Sequence, residues 1–200
     1  MTHYDFVEIG TSEFNTLIEN ANDEVVGLSI EPITHYLNNL PNPKNVKKIN
    51  CAIVENEYKE NDISIFYIPP ETFQKFPNLD KNFRGCNSVG NPHKSLIRFG
   101  LKHLLVQSKV PVKTIKQLFI EYQIQSIDYL KIDTEGYDCF ILNSMLDFLE
   151  INQNIEYPKK ILFECNILTP KEFLDTTVDR LLKKYQIVKQ TENDIEMVRK

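Results

Sequence analysis

Tyr129-Leu-Lys-Ile-Asp-Thr-Glu-Gly-Tyr-Asp138 carries a strand, a turn and the start of a helix in one short run. Tyr129, Leu130 and Ile132 are strand formers. Gly136 interrupts them where a positive φ or a close backbone approach is useful. Beyond it, Phe140, Ile141, Leu142, Met145, Leu146 and Leu149 recur at helical spacing. The strand therefore delivers Asp133, Glu135 and Asp138 to its carboxyl end, where open α/β sheets bind ligands. A local cap accounts for Asp138. Asp133 and Glu135 need more, because carboxylates this close repel unless a cation or hydrogen-bond donors answer them.

Working outward, the pattern predicts strands at Asp5–Ile9, Val25–Ile30, Val46–Val54 and Ile63–Ile68. Thr11–Asn20 reads as a helix capped by Thr11 or Ser12, and a second helix starts at Pro32 with Tyr36, Leu37 and Leu40 inward. This βαβαβ opening predicts a parallel sheet with helices on both faces. Residues 69–107 form an irregular insertion: Pro69–Pro92 is broken by Pro69, Pro70, Pro77, Gly85, Gly90 and Pro92, and Ser95–Gln107 then reads as a helix. A loop that long in a compact domain is usually functional. Ile115–Tyr122 is helical, Lys160–Cys165 is a core strand, and Thr169-Pro-Lys-Glu172 has the form of a capping box. Tyr185–Val188 and Ile195–Val198 close the sheet as an antiparallel hairpin. The expectation from the pattern is one α/β domain over residues 1–200 built on a Rossmann-like, doubly wound, mostly parallel sheet.

Composition narrows the function. Two hundred residues with 42% hydrophobic content suffice for a single core. A net charge of −5 argues against a nucleic-acid partner, which calls for a basic stripe. No apolar run reaches the length of a membrane span, and Met1-Thr-His-Tyr-Asp5 is not a secretory leader, so a cytoplasmic protein without a membrane partner is expected. Cys51, Cys86, Cys139 and Cys165 are too scattered for a zinc site or a disulfide framework. Nothing in the chain fixes an oligomeric state.

Three strand ends describe a nucleoside site. Gly10 turns the chain where backbone N–H groups ahead of a helix can meet an anionic group. Glu31 ends the second strand 21 residues after Gly10, the placement of an acid that accepts ribose hydroxyls. Asp133–Asp138 faces the same crevice if the strand order reverses at the first strand. Only one glycine of a dinucleotide fingerprint is present, with Ser12 and Asn15 at the later positions, which argues against a pyrophosphate pressed onto the helix. A nucleoside with an amino-acid tail fits, and S-adenosylmethionine is such a cofactor. Glu8 or Glu13, with Gly10 and Thr11, would hold the tail.

Phe6-Val-Glu-Ile-Gly-Thr-Ser12, Ser29-Ile-Glu-Pro32, Asp128–Asp138 and Ile161-Leu-Phe-Glu164 together resemble the FkbM-family methyltransferases. The resemblance runs over nearly the whole chain and is thin between Pro69 and Gln107. It implies a class I methyltransferase fold, a seven-stranded sheet with one antiparallel strand, and an oxygen acceptor on a sugar or other small metabolite. Carried over by position, Glu8, Gly10 and Ser12 lie along the methionine part of the cofactor, Glu31 holds the ribose, and Ala52 and Ile53 border the adenine. Asp133 and Glu135 stand beside the transferring methyl. The first loop departs from the family in lacking a second glycine, and little chain precedes the first strand.

An alcohol acceptor has a high pKa, so Asp133, Glu135 and His93, a histidine of the irregular segment, are the candidate bases. The acids, with Glu164 or Asn166, also suit a divalent cation. Arg84 and Arg98 are candidates to grip an anionic acceptor. Two readings from other classes stand beside this one: a metal-dependent sugar-nucleotide glycosyltransferase using Asp133 and Glu135, and a non-catalytic binding module.

Overall fold

A computed structural model describes residues 1–13 and 15–200. The chain opens on β1 (Thr2–Ile9), and β2 (Gly27–Ile30), α1 (Thr34–Asn39) and β3 (Val46–Ile49) follow. β4 (Ala52–Val54), β5 (Asp62–Tyr67), α2 (Pro70–Lys75), β6 (Ser88–Val89), α3 (Lys94–Arg98) and β7 (Val106–Thr114) form the middle of the chain. α4 (Ile115–Glu121), β8 (Ile124–Ile132), α5 (Asp138–Ile151), β9 (Lys160–Glu164), α6 (Lys171–Leu181), β10 (Tyr185–Gln190) and β11 (Asp194–Arg199) complete it.

Seven strands form one sheet in the order β10-β11-β9-β8-β1-β2-β3. The β1–β2, β2–β3, β1–β8 and β8–β9 pairs are parallel, and β11 runs antiparallel to both its neighbours, as the terminal hairpin predicts. Successive residues of a strand point to opposite faces. Val7, Ile9, Leu130 and Ile132 thus join Leu142, Met145 and Leu149 of α5 in the main core, while Phe6 packs with Leu37 and Leu40 in a second cluster. No described helix is long and apolar enough to cross a membrane.

The structure corrects the sequence reading at five places. Val46–Val54 is two strands, not one: the chain leaves the large sheet after Ile49 and enters a four-stranded sheet, ordered β4-β7-β5-β6, at Ala52. Asn50 fixes the crossing, its Nδ2 donating to the carbonyls of Glu31 at 2.8 Å and Pro32 at 2.9 Å. β5, expected in the parallel sheet, runs antiparallel to β7 and β6 in the smaller one. The Ser95–Gln107 helix is instead α3, a 3₁₀ turn at Leu101–Leu104 and the start of β7, divided by Gly100 at φ +70°.

The expected Thr11–Asn20 helix is the fourth correction. Its Phe14 lies outside the described residues, and the rest holds only a 3₁₀ turn at Ile18–Asn20. Ser12 at φ 49° and Asn15 at φ 55° are left-handed, a conformation that breaks a helix. Finally, α6 lacks the capping box: Pro170 occupies its N-cap without a side-chain bond, and the Thr169 hydroxyl is buried without a partner.

Candidate active site

The strand order reverses at β1, with β2 on one side and β8 on the other, so the loops leaving β1, β2 and β8 diverge around a crevice. A cavity of about 650 Å³ fills it, and Gly10, Glu31 and Asp133 all line it. Thr11, Ser12, Ala52, Ile53, His93, Glu135 and Glu164 line it as well. Its size lies within the range of about 300–1,000 Å³ usual for small-molecule sites.

Gly10 draws two of the loops together. It sits at φ +80°, and a Cβ there would stand 1.9 Å from the Asp133 carbonyl oxygen. The Asp133 N–H in turn donates to the Ile9 carbonyl at 2.9 Å. Only a residue without a side chain permits that approach.

Glu31 is buried, with Oε2 accepting the Ser12 N–H at 2.7 Å and Oε1 the Ile33 N–H at 2.8 Å. Burial pushes its carboxyl up to about 7, against those backbone donors. Pro32, Cys51, Ala52, Ile53 and Ile65 make the wall beside it apolar. Burial also raises the Cys51 thiol to about 12, so it behaves as part of that wall.

Across the cavity, Asp133 is walled by protein yet reached by solvent through the open space. Desolvation, then the charge of Asp138, raises it to about 7 against the pull of Lys131. Asp138 caps the turn, as its position predicts: Oδ2 accepts from the Thr134 hydroxyl at 2.7 Å, and Oδ1 from the Glu164 N–H at 3.0 Å. Glu135, left-handed at φ 54°, aims Oε2 at His93 Nε2, 3.0 Å away, and accepts from Asn166 Nδ2 at 3.2 Å.

His93 is buried, and its Nδ1 accepts the Ser95 N–H at 3.1 Å, which places the ring proton on Nε2 and aims it at Glu135. Both ring nitrogens are engaged, so the ring positions Glu135 and has no free nitrogen to act as a base. Burial and the neighbouring acids Glu135, Asp138 and Asp133 hold the Glu164 carboxyl well above the usual carboxylate range. Asp133, Glu135 and Glu164 each bring an oxygen within 4.8 Å of the others, a set that hard cations accept.

Other predicted residues lie elsewhere. Glu8 does not line the cavity: on the opposite face of β1 from Ile9, it is fully buried, bonded to Lys131 Nζ at 2.9 Å and to the Leu17 N–H at 2.9 Å. Glu13 is bound to Arg84 at 3.0 Å and to Asn39 at 2.9 Å. Arg84 is thereby occupied, and neither it nor Arg98 lines the cavity. Tyr137, Asn87 and Asp194, unremarked in the sequence, do. Tyr137 donates to Glu55 and stacks on Phe140, with ring centroids 4.9 Å apart. Asp194 was within reach of sequence reasoning, since a closing hairpin set beside β9 brings its turn to the carboxyl end of that strand.

The model of the methyltransferase FkbM domain matches residues 6–185. The chain belongs to the FkbM methyltransferase family. No curated protein and no solved structure matches it. FkbM membership makes the chain a methyltransferase domain and implies S-adenosylmethionine as cofactor. The cavity of this FkbM domain suits that molecule on two counts. Its lining holds acids and, among the described residues, no lysine or arginine, which matches a cofactor with net positive charge. The Ser12 hydroxyl, beside Glu31, is buried without a partner and available to a ligand.

Proposed function

We propose that the cavity binds S-adenosylmethionine between Glu31 and Asp133 and transfers its methyl group to a hydroxyl of a sugar or other small metabolite. The convergence of Gly10, Glu31 and Asp133 on one cavity carries this reading. Glu31 accepts the ribose hydroxyls, Ala52 and Ile53 border the adenine, and Gly10, Thr11 and Ser12 line the path of the amino-acid tail. When bound, the cofactor supplies an electrophilic methyl on sulfur, given up to a nucleophilic oxygen with release of the neutral thioether.

The protein's part is to place and deprotonate the acceptor. Positioning alone can be worth an effective molarity of about 10⁵–10⁸ M. Glu135, held by His93 and Asn166, offers its free Oε1 to orient the hydroxyl. Asp133, raised to about 7, is matched to accept the proton near neutral pH. A diphosphate-binding reading is disfavoured, since no lysine or arginine among the described residues faces the cavity.

Calorimetry with S-adenosylmethionine and S-adenosylhomocysteine tests the assignment. Binding in the micromolar range is expected, about −8 kcal/mol. If neither compound binds, the proposal fails.

A further inference from the structure

Taking the cavity as a methyltransferase site, we infer that Glu8 and Lys131, an ion pair outside it, are positioning residues for the loop that receives the cofactor's amino-acid tail. Gly10, Thr11 and Ser12 begin that loop and line the cavity. Among the described residues no α-helix follows them before α1, so no ladder of helical hydrogen bonds sets the course of the chain. Ser12 at φ 49° and Asn15 at φ 55° are left-handed, a backbone that residues with side chains keep only when their surroundings impose it. The hold must come from outside the loop.

Glu8 and Lys131 supply it. They stand opposite each other in the β1–β8 register, and Lys131 Nζ lies 2.9 Å from Glu8 Oε1. Each makes a further bond, and both bonds reach the loop. Lys131 Nζ donates to the Asn15 carbonyl at 3.0 Å, and Glu8 Oε2 accepts the Leu17 N–H at 2.9 Å. With Glu31 holding the Ser12 N–H at 2.7 Å, the loop is fastened on both sides of its turn. Net stability does not explain the pair. Burial raises the Glu8 carboxyl against the pull of Lys131, and buried ion pairs are often replaceable by apolar side chains without loss of stability. Apolar side chains, however, cannot hold an N–H and a carbonyl of the loop in place. A loop free to take other courses receives the tail only while it is in the right one, and apparent affinity falls by that fraction. Glu31, Ala52 and Ile53, assigned above to the ribose and adenine, lie on other segments and do not depend on the pair.

Calorimetry with S-adenosylhomocysteine and with adenosine, beside thermal melting, tests the inference on wild type, on Glu8→Leu combined with Lys131→Met, and on Glu8→Gln. The double variant removes both charges and both loop bonds, and it should melt within about 4 °C of the wild type. Its affinity for S-adenosylhomocysteine should fall about tenfold, as for a loop on course roughly a tenth of the time. Adenosine, which has no tail, should bind both proteins alike. Glu8→Gln offers one acceptor oxygen to two donors and should weaken S-adenosylhomocysteine about threefold. Unchanged S-adenosylhomocysteine affinity in the double variant would overturn the inference. An equal loss for adenosine would do so too, because the whole site would then be disturbed. So would a much lower melting temperature, which would make the pair a determinant of the fold. Failure of the wild type to bind S-adenosylhomocysteine would instead remove the methyltransferase reading, and this one with it.

Discussion

Gly10 and Glu31 show how single residues fix the site. A Gly10→Ala variant would place a methyl against the Asp133 carbonyl in a left-handed backbone, so the loops after β1 and β8 must part. A loss of about 2–3 kcal/mol is expected in chemical denaturation, together with loss of S-adenosylhomocysteine binding. Glu31 predicts a pH dependence. Its folded-state pKa, about 7, lies above that of the unfolded chain, so the folded state holds its proton over a range where the unfolded state has released it. Stability from this group is complete below about pH 4 and is lost as pH rises through 7, on the order of 3 kcal/mol at most. Glu31→Gln should flatten that decline in melting temperature between pH 4 and 7. Asp133 predicts a rate effect: turnover should rise with pH along a limb near 7, and Asp133→Asn should remove the limb, slow turnover about 10²–10⁴-fold and spare cofactor binding. Gly10, Glu31 and Asp133 were legible because local spacing places each at a strand end. The true environment of Glu8 was not, since its partner Lys131 lies 123 residues away and no local pattern joins them.

The insertion is the element where sequence and structure diverge most. Leu96, Leu101, Leu104 and Leu105 do turn inward, but onto a small cluster with Ile68 and Phe73 that belongs to the insertion itself. Their spacing imitates one helix because short segments in succession wrap the same cluster. β7 was hidden for a related reason. Pro111 sits in its middle, yet it falls where pairing passes from β5 to β4, and a residue without an N–H is tolerated at such a junction. Among the described residues, the insertion meets the loop after β1 through Arg84 with Glu13 and the turn after β8 through His93 with Glu135. Arg84→Ala should loosen the first of these. The pair is partly exposed, so an effect within about 1 kcal/mol is expected, seen as an up to roughly fivefold faster release of S-adenosylhomocysteine in stopped-flow. The irregularity of residues 69–107 marked a segment that lines the cavity, through Asn87, Val89 and His93 among others. It gave no means of finding Asn87 or the fixed orientation of His93.

At the scale of the whole molecule, the strands of the large sheet were readable from strand formers and the terminal hairpin, whereas the existence of a second sheet was not. Its strands are mixed in direction and interrupted by the insertion, so β4 and β5 read as strands of the large sheet while β6 and β7 went unread. The Asn50 crossing divides an apparently continuous strand between the two. Asn50→Ala removes donors from two carbonyls and should cost about 1 kcal/mol, measurable as a lower denaturation midpoint. Ala52 and Ile53, just past the crossing, and Val89, at the far edge, belong to the same four-stranded layer. One slab of β-structure thus carries both the wall proposed to meet the nucleobase and the far edge of the cavity, so a displacement at either end is passed to the other through the hydrogen-bonded ladders that join β4, β7, β5 and β6.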